Sequence, residues 1–172
     1  MNIKSEFENY AVKHCGVSSL KVHDYQNSMT PYILEERELR ATQMDIFSRL
    51  MMERIIWCAG PVDDRMSTIV QAQLMFLDTL SDDDIIMHID TPGGSVKSGL
   101  SIVDVMDYIK CDVATINTGI AASMGAVLLG AGTKGKRASL RFSRTMIHQS
   151  SGGSVGNIQD ARIDFQEWEK IN

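Results

Sequence analysis

The sequence predicts an α/β protein built on parallel strands. From residue 55 onward, short apolar runs alternate with stretches of 3.6-residue periodicity, and turn or capping residues punctuate the changes. The helical stretches are 10 to 17 residues long. Connections of that size join parallel strands through right-handed crossovers.

The elements follow in order. Residues 1–29 stand apart, with polar patches at Gly16-Val17-Ser18-Ser19 and Gln26-Asn27-Ser28 and a weak apolar pattern at Tyr10, Val12 and Leu20. They read as an amino-terminal extension or propeptide-like segment, partly helical at most, that ends near Thr30-Pro31; such segments are often mobile or processed. Residues 30–172 form the domain. Ile55 to Ala59 is a strand, after which Asp63 or Asp64 caps a helix that holds Met66, Ile69, Val70, Leu74, Leu77 and Leu80 in phase. Ile85 to Asp90 is a second strand and ends in the sharp turn Thr91-Pro92-Gly93-Gly94. Ser95 caps the next helix, with Val96, Leu100, Val103, Met106 and Ile109 on one face. Val113 to Thr118 is a third strand, followed by a helix of small residues from about Ser123 to Ala131. Thr145 to Gln149 is a further strand, and a turn through Gly152-Gly153 leads to a helix from about Ser154 to the end.

The 172 residues are 44% apolar and 23% charged, the balance of one globular domain with a real core. A net charge of -5 and scattered basic residues argue against nucleic acid or acidic lipid as partners. Cys15, Cys58 and Cys111 are odd in number and lack metal-ligand spacing, which fits a reducing compartment and gives no metal site. Lys4, Glu6, Glu8 and Lys13 interrupt the region where a signal peptide would lie. The uncharged stretch Gly119 to Gly132 is too short to span a bilayer and reads as core or site lining. A cytoplasmic location, away from membranes, is expected.

In an open parallel sheet, reactive groups collect outside the carboxyl ends of the strands. Three segments map there: Asp90-Thr91-Pro92-Gly93-Gly94, Ala121-Ala122-Ser123-Met124-Gly125, and Met146-Ile147-His148-Gln149. Ser123, at a helix start among small residues, is placed to attack a carbonyl while the Met124 N–H faces the developing oxyanion. Gly94 can lend a second N–H, and His148 can act as the base. Each feature also has an ordinary explanation. A serine at a helix start is usually an N-cap, a histidine at a strand end is usually structural, and Gly-Gly can be turn chemistry alone. Neither G-x-G-x-x-G nor a P-loop is present. His14, His23 and His88 are assigned structural roles.

Taken together and in order, these motifs resemble ClpP, the proteolytic subunit family of the ATP-dependent Clp proteases. The likeness runs from about Thr30 to Asn172 and includes Asp45-Ile46-Phe47-Ser48-Arg49-Leu50, Gln71-Ala72-Gln73-Leu74, Thr91-Pro92-Gly93-Gly94, Gly119 to Ala126, Gly135-Lys136-Arg137 and Ser143 to Gln149, with 25 residues from Ser123 to His148. The resemblance implies a crotonase-like α/β spiral with a protruding handle helix over Val155 to Asn172. It implies Ser123 as nucleophile, His148 as base, and Gly94 and Met124 as oxyanion-hole donors. It also implies two stacked heptameric rings of this subunit, unfolded polypeptide as substrate, and a hexameric AAA+ unfoldase of the ClpX, ClpA or ClpC type. ATP would be used by that partner, with no cofactor in this chain. On the handle, the stripe Ile158, Ala161, Phe165 and Trp168 would meet the opposite ring.

Three departures from the family pattern stand out. Ser150 follows His148-Gln149 where proline is common, the amino-terminal segment is long, and the chain stops 24 residues after the histidine, before the place of the family's triad aspartate. Asp160 and Asp164, the only later aspartates, fall on the handle helix and are expected to point away from the histidine. The competing reading is a non-catalytic or truncated ring component. An acyl-CoA enzyme of the crotonase type would not need the Ser-His pair, and Lys134 and Lys136 lie too close after Ser123 to serve a Ser-Lys peptidase.

Overall fold

The computed structural model describes residues 3–20, 32–37, 40–153 and 157–171. Helix α1 (Ile3–Lys13) precedes an antiparallel hairpin, β1 (Tyr32–Arg37) and β2 (Arg40–Asp45), which runs straight into α2 (Ile46–Met52). Then follow β3 (Ile55–Ala59), α3 (Asp64–Asp78), β4 (Ile85–Thr91), α4 (Val96–Tyr108), β5 (Val113–Ala122) and α5 (Met124–Ala131). Two short strands, β6 (Arg137–Ser139) and β7 (Arg144–Met146), and a last helix, α6 (Ile158–Ile171), complete the order. The main sheet runs β3-β4-β5-β6 with β7 also on β5, and every pairing in it is parallel, as the alternation predicts.

Strand burial alternates. Ile56 and Cys58, Ile85, Met87 and Ile89, and Val113 face a core that also holds Met66, Val70, Leu74 and Leu77 of α3 and Ile102, Val105 and Met106 of α4. Each fully buried aliphatic side chain there contributes about 1.5–3 kcal/mol. The α3 phase is as predicted except for Leu80. The helix closes at Asp78, where Arg54 donates from Nη1 to the Leu77 carbonyl, and Leu80 lies beyond it, 44% exposed.

The apolar face assigned to α4 is corrected in part. Met106 and Ile109 are buried and Val96 and Val103 pack partly buried against the core, as the face predicts, but Leu100 is exposed, and the buried side of the helix also holds Ser98, Gly99, Ile102 and Val105. Gly99 lets α4 close on α5, since a Cβ there would fall 2.2 Å from the Met124 Cγ. Small residues make this contact, so the largest apolar side chains do not mark it.

Strand β5 outruns its predicted end by four residues, because a bulge allows pairing to resume. Ile89 pairs with Asn117, but Thr91 pairs with Ala121. The Asp90 carboxylate fills the gap, accepting the Ile120 N–H at 3.0 Å, and a Cβ on Gly119 would meet it at 2.4 Å. Strand β7 is shorter than predicted and ends at Met146, so His148 is not on a strand. The hairpin, α2 and the fully exposed β6 are additional to the elements expected from the sequence, although Phe47, Leu50 and Met51 keep helical spacing in α2 and Met51 is buried.

The amino-terminal segment contains a real helix that packs. Ala11 and Val17 are buried in the core, and the Tyr10 ring lies 5.8 Å from that of Phe76. Residues 21–31, with His23, the Gln26-Asn27-Ser28 patch and Thr30-Pro31, lie outside the described residues, as do 154–156 and Asn172 of the predicted last helix. On α6 the predicted stripe is only half right. Ala161 and Trp168 are partly buried, but Ile158 and Phe165 are exposed at 78% and 59%, and Asp164 takes the inner position between them. Asn157 caps this helix through the N–H groups of Gln159 and Asp160.

Candidate active site

The helix starts separate Ser123 from ordinary caps. Asp45, Asp63 and Ser95 each accept a backbone N–H three residues on, at 2.9, 2.8 and 3.2 Å. Ser123 stands in the cap position of α5 but makes no such bond. Its backbone sits at φ 53, ψ -119, a conformation normally left to glycine and one that costs of order 1–3 kcal/mol. The surroundings hold it there: its N–H donates to the Met146 carbonyl at 2.8 Å, and its own carbonyl accepts the Ala126 N–H at 2.9 Å. The hydroxyl is left free on a sharp strand-to-helix turn.

The glycine turn lies against this serine. A Cβ on Gly93 would fall 2.6 Å from the Ala122 carbonyl oxygen, 2.7 Å from the Ser123 Cβ and 3.0 Å from the Met124 nitrogen. The N–H groups of the turn have distinct fates. Gly93 donates to Thr91 Oγ1 at 3.1 Å and Ser95 to the Val62 carbonyl at 2.8 Å, while Gly94 donates to no acceptor among the described residues. Its direction is fixed by its peptide plane. The Gly93 carbonyl accepts the Val62 N–H at 2.9 Å, and in a trans peptide the N–H on the same plane points the opposite way, so the Gly94 N–H is aimed away from Val62. The Met124 N–H, first in its helix, also has no acceptor among the described residues. Two donors are therefore unspent among the described residues: that of Met124, next to the serine at the positive end of α5, and that of Gly94, in the turn whose Gly93 packs against the serine.

His148 shares a cleft of about 870 Å³ with Ser123 and Met124. Val96, Leu100, Val127 and Ile147 give it an apolar wall. Leu100, placed on the apolar face of α4 from its spacing, is thus a cleft residue, and Val96 lines the cleft while also packing against the core; an apolar stripe cannot by itself tell a core from a groove. The imidazole is exposed, and no carboxylate among the described residues lies within hydrogen-bonding distance of it. Asp164 is half-buried and lines an adjoining cleft of about 770 Å³ together with Gly94 and Ser150, a cleft that does not include His148, and Asp160 is exposed. His14 stacks on Tyr10 and His88 on Trp57, with ring centroids 5.2 and 4.8 Å apart.

Among the described residues no group of three or more His, Cys, Asp or Glu could hold a metal ion, and no helix is long and apolar enough to cross a membrane. Cys58 is fully buried, which pushes its thiol up to about 12, and it offers no competing nucleophile.

Residues 37–172 match the model of the Clp protease family. The ATP-dependent Clp protease proteolytic subunit of Bacteroides fragilis (strain YCH46) is 49% identical over 171 residues, covering 96% of this chain and 78% of that protein. The subunit of the same name from Bacteroides thetaiotaomicron (strain VPI-5482) is 50% identical over 171 residues, with the same shares. That of Porphyromonas gingivalis (strain W83) is 50% identical over 168 residues, covering 95% of this chain and 76% of its own. At such coverage the likeness extends into the amino-terminal segment.

Proposed function

Because the chain belongs to the Clp protease family, we propose that it cuts peptide bonds with Ser123 as nucleophile, His148 as general base, and the N–H groups of Gly94 and Met124 as the oxyanion hole. The observation that carries this reading is the uncapped, strained Ser123 in a cleft with His148, next to the unspent N–H of Met124 and packed against the glycine turn that holds that of Gly94. The Ser123 Oγ attacks the scissile carbonyl and forms a C–O bond, its proton passes to His148 Nε2, and the carbonyl pair moves onto the oxygen facing Gly94 and Met124. Collapse expels the amine, which takes the proton from His148, and water then hydrolyses the acyl-serine by the same route. Preorganised donors of this kind are worth about 10²–10³ in turnover each.

The relatives' name supports ATP dependence supplied from outside, since no nucleotide-binding motif occurs here. The arrangement proposed is two stacked heptameric rings of this subunit, cytoplasmic, fed with unfolded polypeptide by a hexameric AAA+ unfoldase of the ClpX, ClpA or ClpC type. A second reading, a ring component without hydrolysis, is favoured by the one observation that nothing among the described residues orients His148.

A fluorophosphonate probe separates the two. It is expected to modify Ser123 in the intact protein, and Ser123→Ala is expected to abolish both labelling and peptide cleavage. Cleavage that survives this substitution would overturn the assignment.

A further inference from the structure

We propose that Ser98, together with Asp64, is the positioning residue of the oxyanion site: it clamps the segment behind the glycine turn and thereby keeps the Gly94 N–H aimed at the cleft. The proposal rests on the peptidase reading above and adds the device that holds the donor in place.

Neither residue touches the cleft around Ser123. Ser98 is 2% exposed, on the first turn of α4, and Asp64 opens α3. The Ser98 Oγ lies 2.7 Å from the Asp64 Oδ1 and 2.8 Å from the Ser95 Oγ. One hydroxyl has one proton, and a carboxylate oxygen has none to give. Ser98 therefore donates to Asp64, and Ser95 donates to Ser98. The relay runs Ser95 to Ser98 to Asp64, while the Ser95 Oγ also accepts the Ser98 N–H at 3.2 Å. The far end of the same residue is tied as well, because the Ser98 carbonyl accepts from the Ser67 Oγ at 2.7 Å.

What the relay holds is the strap that fixes the turn. Val62, two residues before Asp64, accepts from the Ser95 N–H and donates to the Gly93 carbonyl. These two bonds set the plane of the Gly93–Gly94 peptide. With the Ser98–Asp64 bond they make a three-point attachment between residues 62–64 and 93–98, and only the third is made by side chains. Without it Val62 keeps its two backbone bonds, Gly60 keeps its bonds with Asp90 and Thr91, and Ser67 still donates to the Ser98 carbonyl, so the freedom gained is a small tilt of the strap about Val62. A tilt turns the Gly94 N–H off its target while leaving Ser123, His148 and the apolar wall of the cleft untouched. Misaiming one donor costs less than deleting it, so the loss expected is about tenfold in turnover, against about 10²–10³ for outright removal.

The signature is a loss confined to the tetrahedral state. The intact protein is compared with Ser98→Ala, Asp64→Ala, Asp64→Asn and the double variant Ser98→Ala/Asp64→Ala. Peptide hydrolysis is measured alongside the binding of a peptide aldehyde, whose adduct with Ser123 places an oxygen in the hole, and of the matching peptide carboxamide, which forms no adduct. Ser98→Ala and Asp64→Ala are expected to lower kcat about tenfold at unchanged KM and to weaken the aldehyde by a similar factor, with carboxamide binding unaltered. Asp64→Asn keeps an acceptor oxygen and is expected to recover most of the loss. The double variant is expected to be no worse than either single one, because both break the same link. The inference is overturned if Ser98→Ala stays within twofold of the parent in kcat, or if aldehyde and carboxamide weaken together, which is what general loosening of the fold would do. A parent protein unlabelled at Ser123 by fluorophosphonate would instead overturn the peptidase reading itself, and this inference with it.

Discussion

Gly94 is the residue at which geometry leaves the least choice. It sits at φ 156, and a Cβ there would fall 2.2 Å from the Val62 carbonyl oxygen and 2.9 Å from the Val62 nitrogen. Both obstacles are backbone and neither can rotate aside. Gly94→Ala is expected to destabilise the fold by about 1–3 kcal/mol in urea unfolding and to remove measurable peptide hydrolysis, since relief requires the strap or the turn to move. Gly99→Ala makes a useful contrast, because there the Cβ meets the end of the flexible Met124 side chain. Ser123, Met124 and His148 share one cleft and Gly94 lines the adjoining one, yet the sequence did not say what makes Ser123 unlike Ser95. Both are serines opening helices. They differ in a backbone angle and in one absent hydrogen bond, which are products of tertiary packing, and only the resemblance to a family separated them beforehand. Ser98 and Asp64 were illegible for a related reason: a relay between two helix starts leaves no spacing to recognise.

Long elements with a buried face were legible, and short or exposed ones were not. Strand β3 and the capping of α3 by Asp63 agree with the apolar runs and cap residues that predict them, because those elements bury a periodic set of side chains. β6 exposes all three of its residues and β7 does the same, so their pairing with β5 carries no hydropathic trace. Between β3 and β4, Trp57 and His88 are register partners and stack, with the His88 Nδ1 buried and without a hydrogen bond among the described residues. Desolvation holds this imidazole below its ordinary value of 6.5. Between the lowered value and 6.5 the unfolded chain binds more protons than the folded one, so this group's contribution is intact above 6.5 and falls as the pH drops below it. His88→Phe keeps a stacking ring without the titration. Its melting temperature is expected to fall less than the parent's between about pH 7.5 and about pH 5, and equal falls would remove His88 as a source of acid sensitivity.

At the scale of the molecule, the site is assembled from turns far apart in sequence that one parallel sheet delivers to a common end. On the proposed function the cleft would take an extended peptide, and neither G-x-G-x-x-G nor a P-loop occurs in the sequence to power unfolding of a stable protein. Short fluorogenic peptides are therefore expected to be cut by the assembled protein without nucleotide, while a stably folded tagged protein is expected to survive until an unfoldase and ATP are added. Rapid degradation of the folded substrate by the subunit alone would argue for an open-site protease instead. One bond within that assembly also bears on timing. The acceptor for the Ser123 amide is the carbonyl of Met146, on a strand that leaves the ribosome well after the serine itself. During synthesis, then, the reactive turn cannot close until the chain beyond it has emerged. If Ser123 is the nucleophile proposed above, a nascent subunit would carry it without the backbone geometry that this bond fixes.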